Sequence, residues 1–265
     1  MPESSSQETT PVPRWRWALH LTLLTLYVLW IGASSIGRKA GAEPALTSSV
    51  GGLLLASVLG LALFALIFGA ALFASRATAD DLQLRWRRGF LPLPLGLGYS
   101  IALRLLVTIA AIAVAGVLMA LGVVDPAEVE RHARAGPTNI AAVVSLDAMR
   151  DNPTYYWLMM TFVSFVVAGL REELWRAGFL AGLVRLWPNL FASRRGQYFG
   201  VVLAAVVFGF GHAAMGPIAS VAAGLLGLGL GAILVFHRSI WPAVIAHGCF
   251  DAASFALLPL AAKFA

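Results

Sequence analysis

At 265 residues, with 59% hydrophobic and 12% charged side chains and a mean hydropathy of +0.81, the chain is too apolar for a soluble globular protein and reads as a polytopic membrane protein. Its net charge of +6 would suit nucleic acid in a soluble chain, but here the bases cluster between apolar runs, where they orient a protein in the bilayer, so no nucleic-acid partner is expected. The single cysteine, Cys249, excludes an intramolecular disulfide and a cysteine-rich metal site.

Residues 1–13 are mostly Ser, Thr, Gln, Glu and Pro, with nothing to bury, and read as a disordered tail. Arg14 and Arg16 precede an apolar run, Trp17 to Ala33, that is long for a signal peptide and lacks a small-residue cleavage site, so it reads as an uncleaved first span. Arg38, Lys39 and Glu43 separate it from a second span, Ser48 to Ala74, whose Gly52, Ala56 and Gly60 form a small-residue face. The connection from Arg76 to Gly89 is the most basic, and the positive-inside rule makes it cytoplasmic together with the Arg14/Arg16 end. A third span follows from Leu95 to Val123, with Arg104 near enough to its start to snorkel to the interface. Asp125 to Pro153 is the one long polar interior segment, and its mixed charges and Pro137 predict an extramembrane loop with a short surface helix on the opposite side.

The apolar pattern resumes from Tyr155 to Trp187, interrupted by Arg171-Glu172-Glu173-Leu174-Trp175-Arg176. Carboxylates at membrane depth are costly unless they pair or face a wet cavity, which marks this knot as a candidate site. Glu172 and Glu173 also stand four and three residues before Arg176, the spacing of local helical ion pairs. A helix over this whole stretch would measure about 50 Å against a hydrocarbon core of about 30 Å, so a bend, tilt or break is expected ahead of the knot. Pro188 to Tyr198, with Arg194 and Arg195, reads as a second cytoplasmic loop; Phe199 to Met215, Ile218 to Phe236 and Ile240 to Leu260 complete about seven spans. Gly224, Gly227, Gly229 and Gly231 give the penultimate span a smooth face with one GxxxG step. The expected fold is an all-α, polytopic transmembrane helix bundle in an inner membrane with the N-terminus cytoplasmic. It divides into the tail, a three-span region 14–153 containing the polar loop 125–153, and a second bundle over 154–265.

Two further polar stations lie deep in spans: His212, and His247 with Asp251. Counted along antiparallel helices from the 188–198 loop, Glu172 and His212 arrive at about 22 and 20 Å, nearly one depth, whereas His247 reaches only about 10 Å and needs tilt or a later start to its helix. His247 and Asp251, four apart, share a helical face. A carboxylate with an imidazole can deprotonate water and a further imidazole can donate to an oxyanion, a set of residue types suited to carbonyl hydrolysis.

These motifs resemble the intramembrane proteases of the CAAX prenyl protease 2 type, the CPBP or abortive-infection family, which includes lysostaphin-resistance-like proteins. The family pattern is Glu-Glu followed by Arg, then Phe-x-x-x-His, then His-x-x-x-Asn/Asp, each on its own helix. Here it reads Glu172-Glu173, Phe208 with His212, and His247 with Asp251, over Tyr155 to Leu260. The resemblance implies that 154–265 is the catalytic bundle of an endopeptidase acting on a membrane-associated protein or peptide. Glu172 and His212 would activate water, His247 and Asp251 would stabilise the oxyanion, and Glu173 and Arg176 would support them. Two positions depart from the pattern. The arginine usually stands four residues after the second Glu, here Ala177, so Arg176 either pairs with Glu172 or needs a bent helix to regain the usual geometry. An ionised Asp251 cannot donate to an oxyanion and must be protonated or act through His247. Glu, His, His and Asp could hold zinc, but the spacing is not His-Glu-x-x-His and the Glu/His pair needs no metal, so no cofactor is expected. The competing readings are a catalytically silent membrane scaffold or immunity/bacteriocin-tolerance protein and, last, a proton-coupled transporter, for which the sequence offers neither paired discontinuous helices nor repeated halves.

Overall fold

Long apolar runs can satisfy their backbone within a bilayer by forming helices, and every regular element among the described residues is helical. The structure, a computed structural model, describes residues 12–35, 47–86, 89–122, 125, 127, 144–215 and 217–261. Most of the tail, the Arg38-Lys39-Glu43 connection, Arg87 and Arg88, and residues 128–143 of the predicted polar loop lie outside the described residues. The helices are α1 Arg14–Ser35, α2 Val50–Ser75, α3 Pro92–Ala120, α4 Leu146–Asp151, α5 Pro153–Leu186, α6 Pro188–Phe191, α7 Arg194–Gly211, α8 Pro217–His237 and α9 Trp241–Ala261. Ser49, Ser145, Asn152 and Ser193 cap the starts of α2, α4, α5 and α7 by accepting a backbone N–H. The short helix α4 is the surface helix expected at the end of the polar segment.

Six of these helices are long and apolar enough to cross a membrane. The seventh long helix, α7, has 18 residues and opens on Arg194, Arg195 and Gln197, which dilute its hydropathy. With it the bundle has about seven spans, as the sequence predicts.

Of the bend, tilt or break expected in the 153–186 helix, a break does not occur. Its middle, Met159–Leu170, instead winds as a π-helix, and the Ser164 hydroxyl donates to Met159 O at 2.7 Å. A wider turn has a smaller rise per residue, so the helix shortens by a few ångströms without interrupting its backbone hydrogen bonds, and tilt must take up the rest of the excess.

The starts of α1, α7 and α9 and the ends of α2, α5 and α8 meet on one basic face. Arg14 Nη2 donates to Leu186 O at 2.7 Å, Arg16 to Ala74 O and Phe73 O, and Arg194 Nη2 to Phe236 O at 3.0 Å. Each arginine thus serves last-turn carbonyls of another helix, where acceptors lack intrahelical partners and the dipole is negative. The 76–86 connection tucks under α9: Gln83 O accepts the Ile240 N–H (3.1 Å), Leu84 O the Trp241 indole (2.7 Å) and Arg85 O the Ser239 hydroxyl (3.1 Å). The start of α9 rests on this layer. One core joins α1, α5, α7, α8 and α9 around Trp175, Phe208 and Leu230; a second, around Leu53, Met149 and Tyr155, ties α2 to α4 and the start of α5.

Candidate active site

The site is assembled where α9 meets the π-helical part of α5. A Cβ on Gly169 would lie 3.0 Å from Val244 O, and one on Gly248 would overlap the Phe165 ring. Only glycine permits this approach, and it brings His247, 2% exposed, onto the paired glutamates. Its Nδ1–H donates to Glu173 Oε1 at 3.1 Å. Its Nε2 lies 3.6 Å from Glu172 Oε2 and 3.7 Å from Asp251 Oδ2. Three of the sequence-predicted residues therefore surround a fourth.

Glu173 and Arg176 form an ion pair with neither side chain exposed. The Arg176 guanidinium carbon lies 4.9 Å from the Phe208 ring centroid and its Nη2 3.5 Å from where a Cβ on Gly227 would stand; Arg176 Cδ would be 3.3 Å from a Cβ on Gly231. The GxxxG face of α8 is thus the seat of an arginine as well as a helix contact. The displaced arginine turns to Glu173, and Glu172 is instead paired by Arg171 Nη2 at 2.8 Å. Each carboxylate thus has its own arginine, Glu172 with Arg171 and Glu173 with Arg176, and the His247 ring stands between the two pairs.

His212 is not inside a span, as the sequence suggests, but is the residue on which α7 ends. The glycines before it explain this: α7 packs so closely that a Cβ on Gly209 would lie 2.8 Å from Ser220 O, and the chain turns at once through Ala213–Met215 into α8. The His212 Nδ1–H donates to Phe208 O at 2.9 Å. A carbonyl only accepts, so in the neutral ring the lone pair is on Nε2. His212 and Glu172 border one cavity of about 110 Å³, together with Tyr27, Arg171, Trp175 and Phe208, and the two interact electrostatically.

Arg104 does not snorkel. It crosses from α3 to α9, where Nη2 donates to Phe250 O at 2.5 Å and Nη1 to the Ser254 hydroxyl at 3.2 Å, with the guanidinium 4.4 Å from the Phe250 ring. These partners adjoin Asp251, with which Arg104 interacts electrostatically. A carbonyl and hydroxyl inside the bundle outcompete the more distant interface. The sequence signal was present, since a base inside a span demands a partner, but the partner lies on a helix 146 residues away. Arg171 and Tyr27 were likewise not singled out as site residues. The Arg171 signal lay in the knot; Tyr27 had none, because a lone tyrosine within an apolar span is ordinary.

Residues 154–253 match the family model described as Type II CAAX prenyl endopeptidase Rce1-like. That segment belongs to this family. The Rce1-like family is one of membrane proteases, and the match bears out the resemblance read from the three motifs. Comparison with curated proteins returns no match. Comparison with solved structures returns none either. Among the described residues no three His, Cys, Asp or Glu side chains converge in a geometry able to hold a metal ion.

Proposed function

We propose that the protein is a multi-pass endopeptidase of the inner membrane that hydrolyses a peptide bond in a membrane-associated protein or peptide. The observation that carries this reading is the shared cavity of Glu172 and His212, with His247 Nε2 3.6 Å from the same carboxylate. A water between Glu172 and His212 loses its proton to one of them as its oxygen adds to the scissile carbonyl, and the proton passes to the leaving amine as the C–N bond breaks. His247, anchored through Nδ1–H to Glu173, presents Nε2 toward the reacting centre; when doubly protonated it donates there, and Asp251 orients it. Glu173 and Arg176 hold this ring in place. The cavity's apolar wall, including Val28, Ile31 and Phe64, suits a substrate that arrives from the lipid. The concentration of arginines on one face supports a cytoplasmic N-terminus.

The test is terminomics on membranes carrying the wild type, Glu172→Gln or His212→Ala. New N-termini that need both side chains support the peptidase. Cleavage that persists in Glu172→Gln removes the proposed base. A second reading, a catalytically silent scaffold, draws on the Arg171 pairing of Glu172, which occupies the carboxylate proposed as the base. Normal biological function in His212→Ala would favour it.

A further inference from the structure

The site as described has few groups able to donate to an oxyanion. Asp251 as a carboxylate has no proton to give, and His247 already gives one N–H to Glu173. Among the cavity's neutral side-chain donors, the Trp175 indole is taken by Leu24 O at 3.0 Å and the His212 Nδ1–H by Phe208 O. Tyr27 remains. The residue is buried, at 7% exposure, its ring leans on Phe64 with centroids 5.7 Å apart, it lines the cavity together with Glu172 and His212, and its hydroxyl makes no hydrogen bond with a described residue. It interacts electrostatically with Arg171 and Glu172.

The register of α1 against α5 puts Tyr27 at the level of the reaction. Three hydrogen bonds fix that register: Arg14 to Leu186 O, the His20 ring Nε2 with Gly178 O at 2.9 Å, and Trp175 to Leu24 O. The helices are antiparallel, so each step outward along α1 is matched by a similar step back along α5. One further turn takes Leu24 to Tyr27 and Trp175 to Glu172. On the other side, α1 seats against the end of α7, where a Cβ on Gly211 would meet Val28 Cγ1 at 2.8 Å. The first helix, outside the family segment, is thus wedged between the two helices that carry Glu172 and His212.

We propose that the Tyr27 hydroxyl is a catalytic donor that stabilises the oxyanion in this protein. The inference rests on the peptidase reading above. As the water oxygen bonds to the carbonyl carbon, the C=O π pair moves onto oxygen and the Tyr27 O–H donates to it. When the carbonyl re-forms and the C–N bond breaks, the amine takes the proton held by Glu172 or His212, and Tyr27 keeps its own throughout.

The experiment uses the full chain reconstituted in phosphatidylethanolamine/phosphatidylglycerol liposomes. The probes are an internally quenched, farnesylated CAAX peptide, its unprenylated counterpart, and a farnesylated phosphinate in which the scissile amide is replaced. Removing an oxyanion donor lowers kcat by about 10²–10³-fold. Tyr27→Phe is therefore expected to lose that much in kcat with KM within about 2-fold and an unchanged thermal midpoint, and to bind the phosphinate, but not the product peptide, correspondingly more weakly. A kcat within about 3-fold of wild type overturns the proposal, as does a loss confined to KM. Glu172→Gln, run alongside, separates the two ideas. If it is inactive while Tyr27→Phe is fully active, only the role of Tyr27 falls. If it is fully active, or if the wild type neither cleaves a peptide nor binds the phosphinate, the peptidase reading falls and takes this inference with it.

Discussion

The basic face and the interior cluster are built from the same parts, arginines set against carboxylates and carbonyls, and differ in what surrounds them. On the face, Arg185 is 54% exposed at its side chain while it binds Asp81, and Arg14, Arg16 and Arg194 rest on helix-end carbonyls that water could also serve. In the interior, Glu173 and Arg176 have no exposed side-chain surface. A surface pair exchanges one set of polar partners for another and gains little. A buried pair is held by the loss that would follow from removing either member. The comparison teaches that the face closes the bundle, whereas the interior charges constrain one another and so fix the geometry of the site.

The sharpest way to break that contrast is Arg176→Met. It leaves Glu173 buried without its cation and is expected to cost about 3–5 kcal/mol, read as a lower thermal midpoint of the detergent-solubilised protein by tryptophan fluorescence. Adding Glu173→Gln removes the stranded charge while keeping an acceptor for His247, and should recover part of the loss. The matching change on the face, Arg185→Met, should cost roughly 1 kcal/mol or less. Equal losses at the two positions would refute the contrast.

Glycine sharpens it further. Gly248→Ala puts a methyl group into the Phe165 ring and forces α9 away from α5, whereas Gly98→Ala meets nothing within 4 Å. The first should cost about 1–3 kcal/mol by overpacking and lower cleavage by separating His247 from Glu173; the second should change neither. A thermal midpoint for Gly248→Ala indistinguishable from that of Gly98→Ala would show that the close approach is not needed.

How far the sequence revealed these features follows from the same distinction. Hydropathy and the positive-inside rule report on a residue's own solvent, so spans and the basic face were legible in order along the chain. The three motif helices were legible because charge inside apolar sequence is unusual. What could not be read was which partner a buried group selects. Arg176 chooses Glu173, Arg104 chooses the Phe250 carbonyl, and His212 closes α7, because these outcomes depend on π-helical winding and on glycines that matter only when two helices meet. The role of α1 was hidden for the same reason: its register is set by single hydrogen bonds to helices more than 140 residues away.

Arg104 lies between the two regimes, half-buried and charged but with neutral partners. Arg104→Met removes two charge-assisted hydrogen bonds and strands no opposite charge within its own contacts, so about 1.5–3 kcal/mol is expected, less than for Arg176→Met. Arg104→Lys can still reach one acceptor and should lie between. A loss from Arg104→Met as large as that from Arg176→Met would mean that Asp251 depends on Arg104 as Glu173 depends on Arg176.

The smallest effect is a pH dependence on the basic face, at Asp81. Partial burial opposes its ionisation, but the Thr78 N–H and hydroxyl, each 2.8 Å from Oδ2, and the Arg185 guanidinium, 2.6 Å from Oδ1, outweigh it and hold the carboxyl below the ordinary carboxylate range. In the unfolded chain an Asp titrates near about 3.9. A group whose folded value is depressed contributes stability that is present above the unfolded value and is lost as pH falls through the folded one. The thermal midpoint of the wild type should therefore exceed that of Asp81→Asn at neutral pH by an amount equivalent to roughly 1 kcal/mol or less, and the two should converge as pH falls from about 4 toward 2. Because Arg185 is largely in water, added salt should shrink the neutral-pH difference. A difference that persists at low pH or grows with salt would place Asp81 with the interior charges instead of the face.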